Sequence, residues 1–353
     1  MLPDHLDELA DRAQSSELFS SPRLEADSAR FLAEQGAAVR KLAGAARERG
    51  RRVYFVGSGG SWASMYTGKY LCDRLTGATT DVLPSYELVW RGPHGLDSDA
   101  LVVLASYSGR TEDTLEAARF ARKRGAETVA LVRSADSPLA AQSDHVFAYE
   151  SPGLYCLPLL AVTLFAAEWG RLDGDDQAAD VMAGVQTLPT RMGAAFRSQR
   201  ERGRLLAEQL SDSELLYCLG AGPLYGLAYK FGLTVFMENM RIHGSVIESA
   251  EFRHGPAEML DRRGADMAVL IGTDESREMT LRTLDFAREH GARTIVFDAA
   301  EFGDVHPLLT PFVLKVALQW FIVYATLMRG IDDLDDRAYM GRQLLAKEGT
   351  TWP

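Results

Sequence analysis

The chain has 353 residues, more than one ordinary core needs and enough for two domains of typical size. With 46% hydrophobic and 25% charged residues it has the composition of a globular protein, neither disordered nor fibrous. A formal net charge of −11 speaks against the basic face of a nucleic-acid binder, yet a local pocket can still oppose that charge and take an anionic substrate.

The N-terminal run MLPDHLDELADR is acidic and lacks a basic region followed by an apolar core. It is no signal peptide, and the cytoplasm is the expected compartment. Residues 24–50 alternate apolar and charged positions at helical spacing and stop at Gly50. Val53–Gly57 is a short apolar run ending at glycines, which predicts a buried parallel strand. A helix over Trp62–Leu75, a strand over Ala100–Ala105, a helix over Thr111–Arg124 stopped by Gly125, a strand over Thr128–Val132 and an apolar helix over Pro158–Trp169 follow.

The second half repeats this order. A strand is predicted over Leu215–Leu219, a helix over Tyr225–Met240, a strand over Met267–Gly272, a helix over Met279–Glu289 and a strand over Thr294–Asp298. The closing segment 312–329 is interrupted by Lys315 and Gln319 and reads as a buried helix rather than a membrane span. FARKRGAETVALV from Phe120 and FAREHGARTIVFD from Phe286 are the same helix end, glycine cap and strand, offset by 166 residues. Strands alternating with helices imply parallel sheets covered on both faces. The expected architecture is α/β, with two tandem doubly wound domains over 31–175 and 211–330. A helical segment (1–30) precedes them, a helical linker (176–210) joins them and a tail (331–353) follows. Cys72, Cys156 and Cys218 are odd in number and widely spaced, so buried thiols are expected rather than disulfides or a zinc site.

Two loops carry chemistry. Gly57-Ser58-Gly59-Gly60-Ser61 lies between a strand and a helix, where glycines admit a ligand close to the backbone and the helix N-terminus favours an anion. Trp62 stands where a dinucleotide fingerprint would need glycine, and no Gly-Lys-Ser/Thr follows. By itself the loop fits a tight turn equally well. Ser106-Tyr107-Ser108-Gly109-Arg110-Thr111 has the same setting, with three serine and threonine hydroxyls within six residues. Helix capping by Ser108 or Thr111 accounts for one of them, not three. The second copy of this loop, Gly272 to Arg277, brings Asp274 and Glu275 instead, which repel anions unless Arg277 offsets them. One anion site per chain is the expectation.

Ser-x-Ser-Gly-x-Thr after a strand, with Gly-Ser-Gly-Gly-Ser upstream, resembles the sugar-isomerase (SIS) family of phosphosugar isomerases and binding domains, over about residues 30–340. The resemblance implies that Ser61, Ser106, Ser108 and Thr111 bind a sugar phosphate. Gly59 belongs to the same cradle, and Tyr107, where several relatives have glutamine, contributes through its backbone N–H.

Glu238 is the only charged residue of the apolar stretch FGLTVFMENM. A carboxylate there must be paired or used, and partial burial would raise its pKa toward a value suited to proton transfer. An ion pair with Arg241 or Arg253 is the structural alternative. His254 precedes Gly-Pro in a loop, an incidental place for many histidines, though imidazole suits acid–base work near neutral pH. The remaining histidines lack metal-ligand spacing, so neither a metal nor a cofactor is expected.

Glu238 and His254 stand sixteen residues apart, a spacing similar to that in the isomerase half of glutamine:fructose-6-phosphate aminotransferases. The run Val246-Ile-Glu-Ser-Ala-Glu-Phe-Arg-His-Gly-Pro256, with Gly272–Arg277, resembles bacterial fructosamine-6-phosphate deglycases more closely. The resemblance implies loss of an amine from a 6-phosphorylated Amadori compound, with Glu238 and His254 as acid–base residues. It further implies a homodimer whose partner supplies the histidine. Arg337 and Tyr339 partly match the Arg-Tyr-rich tail that closes the site in deglycases. The surroundings of Lys347 do not match the Schiff-base lysine of the aminotransferase, and no nucleophilic cysteine follows Met1. An isomerase or amino-sugar-phosphate deaminase would use the same glutamate, and a sulfonate would suit the same donors. A sugar-responsive regulator would need a DNA-binding module, and the roughly 50 residues before the first strand show no basic helix-turn-helix pattern.

Overall fold

The structure, a computed structural model, describes residues 3–261 and 264–339. Lys347 and the rest of the tail beyond Tyr339 lie outside the described residues. The chain forms two compact units, one of residues Arg23–Thr190 and one made of the chain up to Pro22 together with the chain from Arg191 on.

The first helix, α1 (Pro3–Ala13), belongs to the second unit. The first unit then runs α2 (Leu24–Glu48), β1 (Arg52–Gly57), α3 (Gly60–Leu75), β2 (Thr80–Pro84), α4 (Ser85–Arg91), β3 (Ala100–Ser106), α5 (Glu112–Lys123), β4 (Glu127–Val132), α6 (Pro138–Ala141), β5 (His145–Ala148), α7 (Cys156–Asp173) and the start of α8 (Asp176–Ser198). All strands are parallel, in the order β2-β1-β3-β4-β5. Side chains alternate across the sheet. Tyr54, Val56, Val102 and Leu104 pack on Leu88 and Ala117 of α4 and α5. Phe55, Val103 and Leu131 face Leu42 of α2 and Phe165 of α7, around a void of only ≈ 20 Å³. Each such side chain contributes about 1.5–3 kcal/mol relative to exposure, which explains why these strands read as unbroken apolar runs.

The second unit continues with α9 (Arg200–Leu210), β6 (Leu215–Gly220), α10 (Tyr225–Tyr229), a π-helix over Lys230–Met240, β7 (His243–Glu248), β8 (Asp266–Ile271), α11 (Arg277–Glu289), β9 (Arg293–Asp298) and α12 (Thr310–Met328). Its sheet is parallel too, in the order β7-β6-β8-β9. Residues Thr310–Leu327 of α12 are all buried, so its length and apolarity belong to a core helix. Trp320 stacks on Phe196 (5.0 Å between ring centroids) and meets Phe19 edge-on at 4.9 Å. Lys315 is held within this core by Ser20 Oγ (2.7 Å) and Gln319 Oε1 (2.6 Å).

Three expectations are corrected. The stretch 176–210 is no separate linker: the boundary between units falls inside α8 beside Pro189, and α9 packs on α12. The helix expected over Tyr225–Met240 is α-helical only to Tyr229 and continues as a π-helix. Phe231 and Phe236, five residues apart, both point inward and meet edge-on at 6.3 Å, the spacing of the wider helix. Strands β2, β5 and β7 carry no strong sequence signal because they are edges of their sheets and lack a long continuous apolar run. The three cysteines are buried, as expected, and burial pushes the Cys72 and Cys218 thiols up.

Candidate functional site

In the first unit the chain steps outward from β1 to β2, then returns to the other side of β1 for β3. The loops leaving β1 and β3 therefore diverge and leave a crevice at the carboxyl ends of the strands, where parallel α/β sheets bind ligands. Both hydroxyl loops identified from the sequence lie here.

Gly59 (φ 53°) and Gly109 (φ 60°) take left-handed backbone that other residues adopt only under strain. A Cβ on Gly109 would also stand 2.3 Å from Ser137 Oγ, and Leu139 N–H bonds the Gly109 carbonyl at 3.0 Å. The turn is thus held from behind by the start of α6. Gly59 caps α3, and Thr111 occupies the cap position of α5 without making a side-chain cap.

Thr111 Oγ1 instead pairs with Ser106 Oγ at 2.8 Å, and Ser106 Oγ accepts from Gly109 N–H at 3.1 Å. Two hydroxyls sharing one hydrogen bond leave one proton for an outside acceptor. Ser108 is exposed, and its Oγ accepts from Arg110 N–H (3.1 Å), so its own proton is available as well. Ser61 is buried at the start of α3. Neutral donors near two helix N-termini are the chemistry that holds a tetrahedral anion.

The sequence reading missed the frame behind these donors. Ser58 Oγ donates to Asp113 Oδ2 and bonds Ser85 Oγ at 3.1 Å, and Ser85 Oγ pairs with Thr114 Oγ1 at 3.0 Å. This chain ties the ends of β1, β2 and β3 together and uses up the Ser58 proton. A signal existed: Thr280 lies 166 residues after Thr114, and its Oγ1 donates to Ser249 Oγ at 2.9 Å in the second unit. The brace is therefore repeated while the ligand-facing loop is not. There Arg277 is committed to Asp298 (2.7 and 2.8 Å) and to the Gly272 carbonyl, rather than to Asp274. Burial alone would raise the Asp298 carboxyl, but the bonds from Arg277 and Ala300 N–H hold it below the usual range. Tyr107 is also placed: its hydroxyl accepts from Arg133 Nη1 at 2.7 Å.

In the second unit Glu238 sits on the π-helix. Gly232 lets that helix press on β7, since a Cβ there would stand 2.5 Å from the Ser245 carbonyl oxygen. The partner of Glu238 is neither Arg241 nor Arg253. Arg337 Nη1 donates to Glu238 Oε2 at 3.0 Å, with the Glu238 side chain 41% and the Arg337 side chain 22% exposed. Glu238 is thus ion-paired and half open, not enclosed in apolar surroundings. Arg337 Nε is buried without a partner. Arg241 is held by the Asp336 carbonyl, and Arg253 Nε bonds His254 Nε2 at 3.1 Å. His254 and Tyr339 are exposed. Among the described residues no group of three or more His, Cys, Asp or Glu could hold a metal ion.

Residues 48–159 match the SIS domain family. The chain is 33% identical to the fructoselysine 6-phosphate deglycase of Escherichia coli K12 over 292 residues, covering 82% of this chain and 85% of that one. It is 30% identical to a fructosamine deglycase of Bacillus subtilis over 76% of this chain and 84% of that one. It spans about half the length of the Symbiobacterium thermophilum glutamine:fructose-6-phosphate aminotransferase, at 28% identity. A Bacillus subtilis structure assigned as a phosphosugar isomerase superposes with a TM-score of 0.75 at 30% identity, over 82% of this chain and 91% of that one. The chain belongs to the SIS family of sugar-phosphate deglycases and isomerases. It is an enzyme of that family.

Proposed function

We propose that the enzyme deglycates a 6-phosphorylated Amadori compound, converting a fructosamine 6-phosphate and water into glucose 6-phosphate and a free amine. The hydroxyl donors at the switch point of the first sheet, Ser61, Ser106, Ser108 and Thr111 with Gly59 and the Tyr107 backbone, hold the phosphate and so fix the reacting carbons. Glu238 takes a proton from C1 while the C2 oxygen gains one, forming an enaminol. Reprotonation at C2 yields the imine of the aldose. Water adds to C1, and the carbinolamine breaks into glucose 6-phosphate and the amine, with His254 protonating the departing nitrogen or assisting ring opening. Arg337 and Tyr339 belong to the substrate-facing set. In this reading the second unit is a second SIS fold, and the enzyme is a cytoplasmic homodimer whose partner chain supplies the histidine.

The observation that carries the reading is the hydroxyl cradle at the switch point in a chain one-third identical to a fructoselysine 6-phosphate deglycase. The test offers fructoselysine 6-phosphate, fructose-aspartate 6-phosphate, glucosamine 6-phosphate and fructose 6-phosphate, following glucose 6-phosphate and free amine. Glucose 6-phosphate and amine in equal amounts from an Amadori substrate support deglycation. Turnover of fructose 6-phosphate or glucosamine 6-phosphate alone would replace it with isomerisation or deamination.

A further inference from the structure

The Glu238–Arg337 pair is partly open to water, and such a pair must hold two long side chains in one geometry against their rotamer entropy. Fixing the backbone behind one of them lowers that cost. The segment after α12 is fixed in this way, although it has no helix or strand of its own. Asp335 Oδ1 accepts from Ser16 Oγ at 2.8 Å and from Leu18 N–H at 3.3 Å, and Asp335 Oδ2 accepts from Glu17 N–H at 3.3 Å. The 16–21 turn is itself keyed to the buried α12. The Leu18 carbonyl accepts from Gln319 Nε2, and Ser21 N–H donates to Gln319 Oε1 at 3.1 Å. Leu334 is buried next to Asp335, and Arg241 donates to the Asp336 carbonyl. Arg241 ends the π-helix in left-handed backbone (φ 57°), three residues past Glu238. All of these residues belong to the second unit, so the contacts form within one compact body.

Register decides what this segment offers to Glu238. Residues 331–337 hold four aspartates, and Arg337 is their only cation. A slip of one residue would set the Asp336 carboxylate against Glu238 and turn attraction into repulsion. We infer that Asp335 is a positioning residue for Glu238: clasped by the 16–18 turn, it fixes the register that lays Arg337 on the carboxylate proposed to move protons. This rests on the acid–base reading of Glu238 above and deepens it. Asp335 is exposed, so its loss acts on the alignment of Glu238 more than on the core.

Turnover of fructoselysine 6-phosphate by the intact chain, followed as glucose 6-phosphate release, tests this. Asp335→Ala is expected to lower kcat about tenfold, and Asp335→Asn, whose Oδ1 still accepts from Ser16 and Leu18, to recover part of that loss. In the Arg337→Leu background the same Asp335→Ala change is expected to alter kcat less than about twofold, because the residue through which it acts is gone. Ser16→Ala, at the other end of the clasp, carries the test if the Asp335 variants do not fold, with a kcat loss of about threefold that also disappears beside Arg337→Leu. An unchanged kcat in Asp335→Ala, a rise in KM alone, or a loss of the same size with and without Arg337 would overturn the inference. A wild type that releases no glucose 6-phosphate, or a Glu238→Gln variant with full turnover, is a separate result: it removes the acid–base reading, and the inference falls with it.

Discussion

Glu238 and Arg337, 99 residues apart in the chain, meet through a 3.0 Å bond between Oε2 and Nη1. The pair joins the π-helix to the segment after α12, and it places a guanidinium on the carboxylate proposed to move protons. Glu238→Gln is expected to lower kcat/KM by roughly 10²–10⁴, the usual worth of a positioned general base, with little change in melting temperature. A variant that keeps full turnover would remove Glu238 from the chemistry.

Arg337→Leu separates stability from function. The pair is too open to water for its loss to cost more than about 1 kcal/mol in urea denaturation. Turnover should nonetheless fall, because the carboxylate loses the contact that orients it. A raised KM beside the lowered kcat would report its contact with the substrate, and an unchanged kcat would remove its orienting role.

Ser106 and Ser108 should behave differently although they share one motif. Ser106 is buried and bonded to Thr111 Oγ1 and Gly109 N–H. Ser106→Ala is expected to lose about 1 kcal/mol of stability as well as sugar-phosphate affinity. Ser108→Ala, at an exposed position, should lose affinity alone. Paired melting curves and titrations read both quantities.

Gly109→Ala places a Cβ in left-handed backbone and against Ser137. A loss of at least 1 kcal/mol is expected, together with weaker phosphosugar binding. Ser137→Gly in the same chain should recover the steric part only, which equilibrium denaturation of the double variant would reveal.

Alkaline stability isolates one buried cluster. Burial and the bond to Asp7 (2.6 Å) push the Tyr324 hydroxyl up to about 12, against the opposing bond from Arg200 at 2.9 Å. A folded-state value above the unfolded one of about 10 means the contribution is full below pH 10 and fades as pH rises toward 12. About 3 kcal/mol at most is at stake, from 1.36 kcal/mol per pH unit. Tyr324→Phe should flatten that part of the pH–stability curve; an identical slope in the variant would count against the assignment.

Much of the first unit was legible before the fold. Val53–Gly57 and Ala100–Ala105 announce buried strands by composition alone, and the glycines after them mark the loops that carry the donors. The 166-residue repeat located the second sheet and its acidic counterpart of the anion loop. The edge strand β7, opening on His-Gly-Ser, carried no such signal, because an edge strand needs no continuous apolar face. The π-helix was hidden for a related reason: one pair of phenylalanines at a spacing of five does not distinguish a wider helix from an α-helix.

The amino-acid order thus determines the alternation of strands and helices, the placement of the hydroxyl loops and the single charge on an apolar helix, all of which are set by neighbours a few residues apart. Tertiary structure decides which groups those side chains meet: Arg337 for Glu238, Arg133 for Tyr107, Asp113 for Ser58. Such pairings depend on strand order and register, which bring distant segments within hydrogen-bond range and leave no local periodicity from which to read them.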